Sequence, residues 1–260
     1  MHRLGSLLIR GYLGAVLFFL YLPIAVMMVM AFNRSPLYAL PIQFDTLWFS
    51  ALLKNEKLLT ASMNSILVAA ANTIIATILG TLAALAFARY AFRGKTLLRL
   101  LLFPPITIPW LIIGTSMLVF FFWIGIGRGL HAILLGHVAL SVPYVIVVVG
   151  ARLANVSQTL EEAAATLGAT PWQTFWRVSA PLMAPGVIAA ALFAFAISFD
   201  QFVISYFLAA PGFSTLPVEI YSAIRKGFTP EINAISTIII IVSMGLMMLV
   251  ARFYRFGGER

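Results

Sequence analysis

The residues of this 260-residue sequence that are able to do chemistry fall in a few places. The first is the stretch 157–181, with Glu161, Glu162, Ala163, Ala164, Gly168 and Pro181 as its fixed points. Adjacent carboxylates followed by three alanines make a thin helix with a charge on it, which is the chemistry of docking: small residues permit close approach, and a carboxylate pairs with a basic group on the surface it enters. The second is Asp200, with Ser198 and Gln201 beside it, inside the apolar run 181–209. A carboxylate at membrane depth costs ~2.5–3.5 kcal/mol on insertion scales, so it faces a cavity or a partner. It either attracts a cation through low dielectric, pairs with an arginine of another chain, or caps a broken helix. A third place, Gly94-Lys95-Thr96, imitates the end of a phosphate-binding loop, but Arg89 stands where that loop needs its first glycine and no strand precedes it. The triplet therefore reads as a basic turn. His131 and His137 are six apart and fall on different helix faces, with the nearest acids at Glu161 and Glu162; this is not the i, i+4 spacing of a metal centre. No catalytic residue, nucleophile–base pair or metal site is expected, which disfavours a membrane-embedded enzyme.

The elements that must position these residues are set by a solvent other than water. Hydrophobic residues make up 62% of the chain and charged residues 10%, with a mean hydropathy of +1.02; a soluble domain needs about a quarter of its residues charged. Apolar runs at about 12–32, 62–88, 97–122, 130–151, 181–209 and 234–252 predict six membrane-spanning helices. The first exceeds the ~7–15 residues of a cleavable signal and lacks a small-x-small site, so it reads as a retained anchor. The net charge of +9 is not gathered into one basic face, as nucleic-acid binding requires. Instead the basic residues sit between the apolar runs. Arg3, Arg10, Arg89, Arg93, Lys95, Arg99, Arg152, Arg177, Arg252, Arg255 and Arg260 fall on one side, against Arg34, Lys54, Lys57, Arg128, Arg225 and Lys226 on the other. Eleven against six places both termini in the cytoplasm by the positive-inside rule. With no cysteine, there are no disulfides and no Cys-ligated metal or redox centres.

Prolines interrupt three spans: Pro104, Pro105 and Pro109 in the third, Pro143 in the fourth and Pro185 in the fifth. Each removes an amide and frees carbonyls, tolerated at membrane depth where protein or a water-lined path satisfies them. They are either packing kinks or breaks lining a path, the third span being the better candidate for the latter. The inward stretch between the fourth and fifth spans predicts two short helices. Thr159 and Glu162 fit a capping box at the first helix start, and Gly168 suits the left-handed residue that ends it. Thr170, Pro171 and Gln173 supply a second capped start, and Pro181 limits that helix. Trp172, Phe175 and Trp176 are expected to be covered, at the membrane interface or against the ends of spans. Outside, Tyr38, Trp48 and Phe49 and the stretch 211–226 either receive another protein or fold back over the spans.

Glu162-Ala163-Ala164, Gly168, Val178 and Pro181 resemble the conserved loop of binding-protein-dependent ABC importer permeases, a pattern of E-A-A, three residues, G, nine residues, I, x, L, P, with Val178 and Ala180 replacing its isoleucine and leucine. The resemblance runs on through Asn64-Ser65, residues 89–95, Gly136-His137, Ser198-Phe199-Asp200, residues 215–217 and residues 230–234, and is most similar to the second permease of the spermidine/putrescine branch. It implies an all-α, multi-pass permease of the bacterial inner membrane, a single transmembrane domain over 1–260 with a family-like core at about 62–255 and an ATPase-coupling segment at 157–180. It also implies a second homologous permease, two ATPase subunits that bind the ATP and Mg, a periplasmic binding protein that delivers the solute, and no cofactor in this chain. Ser198, Asp200 and Gln201 then lie on the substrate path, for a polyamine or related cation. Polyamine-type relatives tend to carry a second acid where this chain has Gln201, so another small solute stays open. A secondary carrier would show paired broken spans in two related halves, a pattern not found here.

Overall fold

The computed structural model describes residues 2–36, 39–227 and 229–257. Tyr38 and Arg260 lie outside these residues, and so do the side chains of Arg3, Arg252 and Arg255. Among the described residues every regular element is a helix, with one isolated β-bridge between Asn33 and Phe44. The chain forms two compact units, residues 1–59 with 220–260, and residues 60–219.

In the first unit α1 (His2–Met30) and α2 (Leu47–Leu52) pack against α13 (Glu231–Gly257). The apolar window of α1 has no residue buried within the chain. The loop after it is organised by Asn33, fully buried, whose Nδ2 donates to Ala39 O at 2.9 Å and whose Oδ1 accepts from the Gln43 amide at 3.1 Å. Trp48 Nε1 donates to Asn33 O at 2.7 Å, and Phe32 lies between the rings of Phe44 and Phe49 at 5.4 and 4.9 Å. Trp48 and Phe49 are therefore folded back onto their own loop.

The second unit is built around α7 (Leu130–Ala154), whose long apolar sequence buries His137, Leu140, Ser141, Val145 and Val149 along its length. It packs against α10 (Ala180–Phe199), α11 (Phe202–Leu208) and α6 (Trp110–Trp123), while α3 (Glu56–Arg89) joins both clusters of the core. One cluster includes Ala76, Val145, Val149, Met183 and Ala190, the other Val68, Ile133, Leu140, Ile204 and Leu208. Between apolar helices in lipid the attraction comes from close packing, so small residues mark the contacts. A Cβ added at Gly136 would lie 2.6 Å from Ile204 Cγ2, which only glycine avoids.

Four described helical segments are long and apolar enough to cross a membrane, 9–30, 56–89, 130–154 and 171–199, and a bent pair makes a fifth candidate. That pair is the expected third span: α4 (Lys95–Leu102) and α5 (Pro104–Thr107) meet α6 at a bend of 113°. Ile108, at ψ 135°, is extended, as the residue before Pro109 must be to clear the proline ring. The other two expected interruptions do not break a helix. Pro143 is buried within an unbroken α7, and Pro185 lies half-buried within an unbroken α10. In α13 the described apolar stretch, 231–245, is shorter than a span.

Candidate functional site

The stretch between α7 and α10 folds as an elbow of two short helices, α8 (Thr159–Thr166) and α9 (Pro171–Thr174). Its first helix starts earlier than a Thr159–Glu162 capping box requires, and that box does not form. The Glu161 and Glu162 amides bond Gln158 O at 3.0 and 3.1 Å, and Ser157 Oγ takes the Thr159 amide at 3.3 Å, the two hydroxyls being hydrogen-bonded to each other. Thr159 is thus inside the helix. The end is as its glycine dictates. Gly168 has φ +84°, its amide bonds Ala165 O and the Ala169 amide bonds Ala164 O, each at 3.0 Å; these are the paired bonds of a left-handed helix stop. At the second start the box is complete: the Thr170 amide donates to Gln173 Oε1 at 2.9 Å and the Gln173 amide to Thr170 Oγ1 at 3.3 Å.

From Pro171 the chain stays helical to Phe199, passing through a π-helical turn, Phe175–Ser179, so Pro181 does not end the second helix. The Ala180 amide reaches back five residues to Phe175 O. This wider turn stands directly before Pro181, whose ring would crowd a regular helical carbonyl and which brings no amide of its own.

The two adjacent acids have opposite surroundings. Glu161 Oε1 accepts from Arg89 Nη2 at 3.0 Å, Arg89 Nε at 3.2 Å and Ser179 Oγ at 3.0 Å, with the Arg89 and Glu161 side chains 14% and 19% exposed. Arg89 Nη2 also donates to Val156 O at 3.4 Å. One carboxylate therefore joins the elbow to the end of α3 and to the approach to α10. Glu162 is exposed, as are Ala163 and Gly168, while Ala164 is half-buried. The elbow's large apolar groups also point away from the chain. Leu167 is 89%, Trp172 70% and Trp176 55% exposed, the tryptophans and Phe175 touching one another with ring centroids 5.1–6.4 Å apart. The expectation of covered aromatics is not met within this chain.

The second candidate lies where α10 gives way to α11. Asp200 and Gln201 form the break, and Gln201 Oε1 caps α11 by accepting the Val203 amide at 3.2 Å. Ser198 and Gln201 are buried, and Asp200 alone of the three is exposed. Behind the break stands His137: Nδ1 is 2.8 Å from Ser198 Oγ on α10 and Nε2 is 3.1 Å from Ser205 Oγ on α11. The same seam includes Asn72, whose Nδ2 donates to Ser141 Oγ at 3.0 Å and Ala194 O at 3.1 Å. Gln201 Nε2 is buried without a hydrogen-bond partner among the described residues. Sequence reasoning weighed His137 only as a metal ligand. Its position at the centre of an apolar run is the signal that it has polar partners, but not which ones.

Residues 76–257 match the family described as binding-protein-dependent transport system inner membrane component. The spermidine/putrescine transport system permease protein PotC of Escherichia coli (strain K12) is 36% identical over 248 residues, covering 95% of this chain and 93% of the relative. The putrescine transport system permease protein PotI of the same strain is 35% identical over 249 residues, covering 93% and 88%. The molybdenum transport system permease protein ModB of Mycobacterium bovis is 31% identical over 233 residues, covering 84% and 88%. Among solved structures, a bacterial ABC transporter involved in the import of the acidic polysaccharide alginate superimposes with a TM-score of 0.76 at 17% identity, covering 97% of each chain. A second structure of the alginate transporter, in complex with the alginate pentasaccharide-bound periplasmic protein, gives 0.74 at 18% identity, covering 99% and 96%. At these identities the shared property is the fold.

Proposed function

The chain belongs to the family of binding-protein-dependent transport system inner membrane components and is a non-catalytic permease subunit of an ABC importer, and from this premise we propose that it admits a polyamine, delivered outside by a periplasmic binding protein, through the force of separate ATPase subunits below. The observation that carries the coupling role is the division of labour between the two acids. Glu161 is tied inward to Arg89 and Ser179, so a push on the elbow reaches α3 and α10 through a short rigid contact, while Glu162, Ala163 and the exposed Leu167 and Trp172 are free to meet another surface. In this arrangement Glu161, Glu162, Ala163, Ala164 and Gly168 form the docking segment, and Pro181 lies within the span it moves, just after the π-helical turn. ATP and Mg belong to the ATPase. This chain pairs with a second permease and forms one transmembrane domain over residues 1–260. Six segments cross the bilayer, namely α1, α3, the bent α4–α6, α7, the helix running from Pro171 and α13, and the excess of basic residues on one side puts both termini in the cytoplasm.

The substrate rests on Asp200, exposed at a helix break inside an apolar span, and on relatives of 35–36% identity whose names are spermidine/putrescine and putrescine permeases. Ser198 and Gln201 shape the break from behind it. A different small solute is favoured by one feature, an amide at Gln201 where polyamine-type relatives tend to carry a second acid. The test is uptake of labelled putrescine and spermidine by the reconstituted transporter, with binding-protein-stimulated ATP hydrolysis measured in parallel. Asp200→Asn is expected to weaken uptake of the cations. Glu162→Ala and Gly168→Asp are expected to abolish uptake with membrane insertion intact. Normal uptake in the elbow variants defeats the coupling role, and normal uptake of cations in Asp200→Asn removes that residue from the path.

A further inference from the structure

Four cations stand together at the end of α3 and the start of α4, Arg89, Arg93, Lys95 and Arg99, and no Asp or Glu occurs in the sequence between Glu56 and Glu161. Among the described residues, Arg89 alone of the four has an acidic partner, Glu161. Lys95 Nζ is held by Tyr90 O at 3.0 Å, and Lys95 and Arg99, four apart, lie on one face of α4. Much of the rest of α4 is apolar and uncovered: Leu97, Leu98, Leu100 and Leu101 are 45–67% exposed, while Leu102 packs half-buried against the core. A short helix of this kind, basic on one side and leucine-rich on the other, and together with α5 turned sharply from α6, has the composition of an element lying in a membrane surface.

Beside it is a cavity of about 760 Å³, within the ~300–1,000 Å³ of typical ligand clefts. Its walls are apolar side chains of α3 and α7, among them Phe87, Ile146, Val147 and Leu153, and its polar rim holds Arg99, Ser157 and Gln158 together with Arg89, already paired with Glu161. Arg99 is already oriented there. Its Nη2 donates to Phe87 O at 3.2 Å and its guanidinium carbon sits 5.3 Å over the Phe87 ring, while its side chain remains exposed. A guanidinium at the mouth of an apolar cleft suits a group that is anionic at one end and hydrocarbon at the other, and basic pockets between membrane helices take phospholipid headgroups.

We infer that this cavity is a binding site for an anionic phospholipid, its phosphodiester at Arg99 with Lys95 and Arg93 nearby, and part of an acyl chain against Phe87, Ile146 and Val147. The inference rests on the chain being a membrane permease and is independent of which solute it carries. Occupancy would brace the end of α3 where Arg89 grips Glu161 of the elbow.

Native mass spectrometry of the intact transporter, extracted in mild detergent and supplied with phosphatidylglycerol or phosphatidylcholine, tests it. Wild type is expected to retain phosphatidylglycerol in preference to phosphatidylcholine, and not to release it to inorganic phosphate. Arg99→Gln is expected to lower retention about five-fold. Gly150→Leu acts on the cavity itself. Gly150 lines it and an added Cβ there meets nothing within 4 Å, so a larger side chain can start into the cleft from an unobstructed position. Arg128→Gln, an exposed arginine outside the cavity lining, is the control with unchanged retention. Wild-type retention in both Arg99→Gln and Gly150→Leu overturns the inference, as does equal retention of phosphatidylcholine or displacement by inorganic phosphate. Solute uptake is scored in vesicles reconstituted from the same variants, so an error about the substrate shows in uptake and an error about the lipid shows in retention.

Discussion

Glu161 and Glu162 are adjacent in sequence, identical in type and opposite in use, and the difference follows from one helical step. A rotation of about 100° per residue turns one side chain toward Arg89 and Ser179 and the other to the outside. Removing Glu161 leaves Arg89, largely buried, without its carboxylate partner and with only the longer bond to Val156 O among those described, and a hydrogen bond to a charged group is worth about 1.5–3 kcal/mol. Glu161→Ala and Arg89→Ala are therefore each expected to lower the thermal stability of the solubilised chain, with the double variant losing less than the sum. Glu162→Ala is expected to leave the same unfolding curve unchanged. If the two single losses at Arg89 and Glu161 simply add, the ion pair is not what holds the elbow to α3.

The break between α10 and α11 is held by contacts far apart in sequence. His137 touches Ser198 and Ser205, 61 and 68 residues away. Interhelical hydrogen bonds in membranes are worth about 0.6–2 kcal/mol each, so His137→Ala is expected to relax the break and slow uptake without preventing insertion, and His137→Asn to restore part of it by bonding one serine. Uptake rate against unfolding temperature separates the two effects. An equal loss of uptake in both variants would mean that packing volume, not the polar bridge, is what the position supplies. This contrast explains what was legible in the sequence. Gly168, the Thr170–Gln173 box and the bend at Pro109 depend on chemistry within a few residues, and all three are present as their local patterns dictate. The Thr159–Glu162 box failed because Ser157, two residues earlier, competes for the Thr159 amide. Pro181 failed as a stop because a π turn accommodates it. Pro143 is buried in α7, whose packing overrides the local penalty, and Pro185, half-buried, is also accommodated inside an unbroken helix. The polar seam through Asn72, His137 and Ser205 was invisible, since no residue in it announces its partners.

Among the described residues, apolar surface is left uncovered in settings that call for different neighbours. Along helices such as α1, α3, α4 and α6 it belongs to elements whose length and composition match a bilayer or its surface. The elbow differs in its surroundings: Leu167 directly follows the eight-residue α8, and Trp172 and Trp176 stand in the first turns of the helix that runs from Pro171, among polar residues such as Glu162, Gln173 and Arg177. A compact patch of large exposed side chains with a polar surround is the composition of a protein interface, in which buried aromatic anchors carry most of the binding free energy. Trp172→Ala or Leu167→Asp is accordingly expected to weaken retention of the ATPase subunits by about thirty-fold or more, an anchor's share of at least ~2 kcal/mol. Membrane integration, set by the spans, is expected to be unaffected. Photocrosslinking from position 167 gives the independent check. Adducts to another polypeptide are expected, and adducts to lipid alone, with ATPase retention unchanged in both variants, would place the elbow in the bilayer surface and remove it from force transmission.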